Sequence, residues 1–136
     1  MKYNFEQLKK ENTDKLEEVA TIAGLDEPID YDCTFIVAKN GTSKILGFAG
    51  VNLNKDKYPQ FEHIIVRPGF QKTKLGFLLM LKMEKFLRHK GYTEYVSFIR
   101  NEKNNMMVYA QKWGMQNYAH NNRGVWFYKS LIGGKR

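Results

Sequence analysis

Two stretches of the chain carry residue types able to do chemistry. The first is the adjacent pair Glu62 and His63, a carboxylate and an imidazole set among Phe61, Ile64, Ile65 and Val66. Such a run reads as a strand, and either polar side chain can serve as a proton acceptor. Neighbours in a regular strand project from opposite faces, so only one of the two would face a given ligand. The second stretch starts where the first stops. V-R-P-G-F-Q-K-T-K-L-G-F-L-L, from Val66 to Leu79, leads through a short turn into a long apolar segment. The first N–H groups of a helix have no intrahelical partner and sit at the positive end of its dipole. A helix that opens here offers a site for an anion such as a pyrophosphate. Lys72 and Lys74 place full positive charges at its rim.

Metal and disulfide chemistry find little support. His63, His89 and His120 are scattered without ligand spacing, and no metal is expected. Cys33 is the sole cysteine, which excludes an internal disulfide and a Cys-rich zinc cluster.

The elements that must position these residues are legible from periodicity. Tyr3, Phe5 and Leu8 alternate loosely as a short first strand. Asn12 or Thr13 is suited to cap a helix whose apolar face is Leu16, Val19, Ala20 and Ala23, with Gly24 as its stop. Thr34 to Ala38 and Ile45 to Val51 read as a hairpin around Asn40-Gly41, and Tyr58 to Val66 as a third strand of that half. A long helix follows over about Thr73 to Lys90, apolar around most of its circumference, which predicts heavy packing against a sheet. Tyr95 to Ile99 is the next strand, Asn104 to Trp113 an amphipathic helix ending at Gly114, and Val125 to Tyr128 the last strand. The order β-α-β-β-β-α-β-α-β predicts a single α+β domain over 1–136 with a central mixed sheet.

Composition agrees with that reading: 136 residues, 43% hydrophobic and 26% charged, describe one globular domain. No apolar leader and no membrane-length apolar run is present, so a reducing, cytoplasmic setting without a membrane is expected. Charge is uneven. Residues 1–66 hold 8 Lys/Arg against 11 Asp/Glu, while residues 67–136 hold 14 against 3. The basic half suits an anionic partner: nucleic acid, a phosphorylated cofactor or an acidic surface.

The stretch from Phe61 to Met115 resembles the GNAT superfamily of N-acetyltransferases. In that family a strand ending V-x-P precedes a Q/R-x-x-G-x-G/A segment, matched here by Val66, Pro68, Gln71 and Gly76, with Lys74 where the first Gly stands. A second match is the strand–helix ending at Lys112-Trp113-Gly114-Met115. The resemblance implies a GNAT-like sheet flanked by helices and acetyl-CoA (coenzyme A) as acyl donor. It also implies that the backbone of Ile65, Val66 and Arg67 pairs with the pantetheine arm. The phosphates would be held by Gln71, Lys72, Thr73, Lys74, Leu75 and Gly76. Asn101, Asn104 or Asn105 would be the cofactor-contacting asparagine. A direct attack by a primary amine is implied, assisted by a base on the strand, Glu62 or His63, and by an oxyanion-binding N–H near Val66. The strand commonly carries a bulge. The tyrosine that protonates the departing thiolate lies four residues before the glycine in the family. Here that position is Ala110, and Tyr109 stands one residue, about 100°, away.

The acceptor is not specified beyond an amine of a small molecule or protein, drawn to the acidic stretch Asp26, Glu27, Asp30 and Asp32. A homodimer through the last strands is compatible with the family. Two other readings compete. One is a catalytically silent GNAT-like domain that binds acyl-CoA or a partner, suggested by Lys74 and Tyr109. The weaker is a basic nucleic-acid-binding module, against which stands the absence of any RNP, KH or zinc-finger pattern.

Overall fold

The computed structural model describes residues 2–41, 43–55, 57–71 and 73–132. Its strands are β1 (Asn4–Gln7), β2 (Thr34–Lys39), β3 (Gly47–Asn52), β4 (Gln60–Val66), β5 (Glu94–Arg100), β6 (Gln116–His120) and β7 (Gly124–Ser130). The helices are α1 (Leu16–Ala23), α2 (Leu75–His89) and α3 (Asn104–Lys112), with a 3-10 turn at Lys10–Lys15 before α1. All strands lie in one sheet of order β1-β2-β3-β4-β5-β7-β6. Neighbours are antiparallel except β4 and β5, which run parallel. A parallel pair needs a crossover, and α2 supplies it.

Alternation along the central strands divides the core. Ile36, Ala49, Val51, Phe61, Tyr95 and Phe127 turn to one face and pack with Leu75, Leu79, Met80, Met83 and Leu87 of α2. Phe35, Val37 and Phe48 turn to the other and meet Leu16, Val19 and Ala20 of α1. Strand β2 is therefore buried on both sides, which explains its unbroken apolar run. One charged residue lies inside α2's buried stripe. Glu84 is 1% exposed, accepts a hydrogen bond from the Tyr95 hydroxyl at 2.6 Å, and meets Lys129 Nζ at 2.9 Å. The contact ties α2 to β5 and β7 and satisfies a charge that burial would otherwise penalise.

Three details depart from the sequence expectation. Strand β6 is additional: its five residues, QNYAH, are all exposed and lack the alternation that marks a half-buried strand. Neither Asn12 nor Thr13 caps α1. The Thr13 hydroxyl donates to Lys10 O at 3.0 Å within the 3-10 turn, and the N-cap Lys15 makes no side-chain cap. Helix α2 starts at Leu75 rather than Thr73 and ends at His89, with Gly91 at φ 94° turning the chain back.

Candidate active site

The one parallel contact in the sheet is short. Only Gln60 and Val96 pair across β4 and β5, supported by Val96 N–H to Pro59 O (2.9 Å) and Ser97 Oγ–H to Phe61 O (3.0 Å). Beyond that point the strands part, and a cavity of about 350 Å³ fills the wedge. Its walls are Phe61–Ile65 and Ser97–Arg100. Met106, Ala110 and Trp113 close it on one side of the sheet, and Leu25 and Glu27 border it from the other.

The wedge exposes backbone. The Arg67 N–H donates to Leu46 O on β3 at 2.8 Å. In an antiparallel ladder the N–H and C=O of successive residues point to alternate edges. Val66 and Ile64 therefore turn their polar groups away from β3, toward the edge from which β5 has withdrawn. The Val66 carbonyl there accepts from the Gln71 side-chain amide at 2.9 Å. The Arg67 side chain is buried and structural: its Nε donates to Ile45 O at 2.6 Å, and its guanidinium meets Glu18 at 3.3 Å.

A bulge places Glu62. On β3 the adjacent residues Gly50 and Val51 pair with His63 and Phe61, so Glu62 is the extra residue of β4. Without it Phe61 and His63 would share a face. Instead Phe61 packs with the α2 cluster, while His63 meets Phe48 of the α1 cluster edge-on at 6.4 Å. The expectation that Glu62 and His63 diverge to opposite faces thus gives way: both line the cavity. The Glu62 side chain is 16% exposed and ion-paired with Lys55 at 3.1 Å. The Asp30 N–H donates to His63 Nε2 at 3.1 Å. Desolvation holds the His63 imidazole below its ordinary 6.5, although Glu62, Glu27 and Asp30 pull the other way. The ring is therefore neutral with Nε2 as acceptor, so its proton sits on Nδ1, a buried atom with no hydrogen-bond partner among the described residues.

The loop before α2 is built around Thr73. Its hydroxyl donates to Phe70 O at 2.6 Å and accepts from Leu75 N–H at 3.2 Å. Lys74, at φ −82°, is exposed and in a conformation open to any L-residue, so the backbone does not demand glycine there. At Gly76 an added Cβ would point toward Ile64 (3.7 Å) and Trp113 (3.9 Å), both cavity residues. The start of α2 therefore abuts the wedge. Lys72 lies outside the described residues.

Helix α3 turns Ala110 into the cavity, where it is 1% exposed, and leaves Tyr109 45% exposed, stacked on Trp113 at 5.5 Å. Asn101 is committed to the β6–β7 turn: its N–H donates to Arg123 O at 2.9 Å and its side-chain amide to Asn122 O at 3.1 Å. Asn104 and Asn105 are exposed at the start of α3 and do not line the cavity. The acidic segment 26–32 is largely engaged within the fold. Asp26 meets Arg100 (2.9 Å) and Lys103 (3.4 Å), and Asp30 accepts from Asn52 (2.8 Å) and from Asp32 N–H (3.0 Å). Arg100, Lys103 and Lys55 were not singled out by pattern. Their roles come from partners many residues away, for which a single sequence carries no local signal.

A family model for the Acetyltransferase (GNAT) family matches residues 4–115. Comparison with curated proteins gave no match. Among solved structures, the PaiA N-acetyltransferase from Thermoplasma acidophilum in complex with coenzyme A superposes with a TM-score of 0.80 at 17% identity, over 96% of this chain and 99% of that one. A GNAT-family putative acetyltransferase from Desulfovibrio desulfuricans gives 0.82 at 13% identity, over 96% and 100%. The ribosomal-protein-S18-alanine N-acetyltransferase from Escherichia coli gives 0.79 at 12%, over 98% and 97%. At these identities the likeness is one of fold.

Proposed function

The chain belongs to the GNAT family of acetyltransferases, and from that premise we propose that it moves the acetyl group of acetyl-CoA to a primary amine by direct attack. The observation that carries the reading is the wedge between β4 and β5, with the Glu62 carboxylate at the bulge in its wall. The donor's arm is an extended chain with amide groups, and it fits the strand edge that Ile64 and Val66 leave open. Its phosphates fall at the start of α2, where Gly76 keeps the approach clear and Lys74 adds charge. Gln71 holds the turn by its bond to Val66 O.

The acceptor arrives as an ammonium, which has no lone pair; with an ordinary pKa of about 10.4, only about one molecule in a thousand is neutral at pH 7. Glu62 removes that proton, directly or through a water. Lys55, at 3.1 Å, anchors the carboxylate at the cavity wall. His63 does not compete for the role, because Nε2 is occupied by Asp30 N–H and Nδ1 carries the ring proton. The nitrogen then bonds to the thioester carbonyl carbon, becomes cationic, and sheds its second proton to water in the wedge. Negative charge on the carbonyl oxygen is met by the Val66 or Ile64 N–H, the C–S bond breaks, and the thiolate leaves. Ala110 stands at the turn where a tyrosine would reach the sulfur, so the thiolate takes its proton from water at the open end of the wedge rather than from Tyr109.

Calorimetric titration with acetyl-CoA tests the donor site. Wild type binds in the micromolar range, and Gly76→Trp, which projects an indole toward Ile64 and Trp113, abolishes binding while the fold survives by circular dichroism. Undiminished binding in the variant would remove the site from the start of α2. Binding without turnover across a panel of amines would favour the catalytically silent reading.

A further inference from the structure

A second cavity, of about 250 Å³, lies on the sheet away from the wedge and shares no lining residue with it. It is bounded by Tyr58 before β4, Glu94 and Val96 on β5, Tyr118 on β6 and Tyr128 on β7. Val96 and Tyr128 are cross-strand partners, and Glu94, two residues before Val96, shares their face. The alternate residues Tyr95 and Phe127 belong to the α2 core, so the cavity sits on the opposite face. A register shift between Asn117 and Ala119 lifts Tyr118 out of the β6–β7 ladder. Its ring meets Tyr128 edge-on at 5.8 Å and 75°. The Tyr128 hydroxyl donates to Gln116 Oε1 at 3.0 Å, which fixes that ring.

Three phenol rings and a carboxylate around one small space make a particular chemical environment. Ring faces attract cations but offer a bare ammonium few hydrogen-bond acceptors, so they favour cations whose charge is spread over methyl groups. Glu94 has no ion-pair partner among the described residues and can supply the counter-charge. The Tyr58 ring already faces a cation, with Lys57 Nζ 5.4 Å from its centroid. We propose that this cavity binds a small alkylammonium cation, held by Tyr58, Tyr118 and Tyr128 and neutralised by Glu94.

Choline is the probe, compared with its uncharged carbon analogue in which a tert-butyl group replaces trimethylammonium. Calorimetry of the full chain should give saturable choline binding, with the analogue at least about tenfold weaker because it keeps shape and loses charge. Tyr118→Leu and Glu94→Gln should each weaken choline by about tenfold. Both sites are solvent-accessible, and unchanged acetyl-CoA binding in the two variants verifies that they fold. Equal affinity for the neutral analogue would make the cavity an apolar groove and overturn the proposal. So would affinity indifferent to both substitutions, or no saturation by choline in a wild type that binds acetyl-CoA.

Discussion

Glu62 and His63 share a strand and a cavity wall, and what separates them is their partners. Glu62 faces the Lys55 ammonium and keeps some contact with solvent, whereas His63 is 5% exposed beneath Phe48 and bonded to the Asp30 backbone. Glu62→Gln keeps the shape and removes the proposed base. It should lower kcat with the wild type's best amine by about a hundredfold or more, with acetyl-CoA affinity unchanged. Steady-state kinetics beside calorimetry check this, and an undiminished kcat would eliminate Glu62. For His63 the readout is stability. Its folded pKa lies below the ordinary 6.5, so the unfolded chain takes up the proton first as pH falls. The stabilisation is complete above that value and is lost as pH drops toward the folded pKa. Urea midpoints should therefore fall more steeply from about pH 7 to 5 in wild type than in the non-titrating His63→Gln.

Among the elements, α2 and β4 do most to create the site, and each does so through a feature that interrupts regularity. The apolar stripe of α2 contains Glu84, whose bonds to Tyr95 and Lys129 hold the helix on β5 and β7. Burial, with the nearby Glu84 charge, pushes the Tyr95 hydroxyl well above its ordinary pKa, so it stays protonated and donates. Glu84→Ala leaves the Lys129 ammonium and the Tyr95 hydroxyl without that partner and should cost about 3 kcal/mol in urea denaturation. A loss of less than about 1 kcal/mol would mean that solvent replaces the carboxylate easily. In β4 the interruption is the bulge at Glu62, invisible in composition because an inserted residue alters pairing without altering residue types. Helix α2 was legible because its long apolar run, closed by Gly91, exceeds the length of a strand. Strand β6 was not, since an exposed edge strand buries no face and so needs no pattern.

For the whole molecule, charge asymmetry and strand order act together. The basic half, residues 67–136, begins just past β4 and contains the start of α2, the end of the wedge assigned above to the donor's phosphates. Affinity for acetyl-CoA should fall several-fold between about 50 and 500 mM salt, as screening shortens the reach of these charges. Calorimetry across that range tests it, and a flat profile would confine recognition to short-range contacts. The acidic segment 26–32 mainly braces the wall of the cavity: Asp26 is bound to Arg100 and Lys103, and Asp30 is tied to Asn52 and His63. Partial burial works against it, yet the Asn52 amide and Asp32 N–H hold the Asp30 carboxyl below its ordinary 3.8.

Periodicity and turn residues determined the order of every element except β6, the α+β class and the strand–turn–helix from Val66 to Leu79, because each is encoded in neighbours along the chain. The family resemblance rested on that same local stretch. The parting of β4 from β5, the passage of the cavity between the sheet's two faces, and the partners of Glu62 and His63 were decided only in three dimensions. Each depends on contacts between distant segments. The Asp30–His63 bond spans 33 residues and the Asp26–Arg100 bond spans 74. A hydrogen bond or an ion pair leaves no mark on the local pattern of either segment, so packing alone assigns the partner.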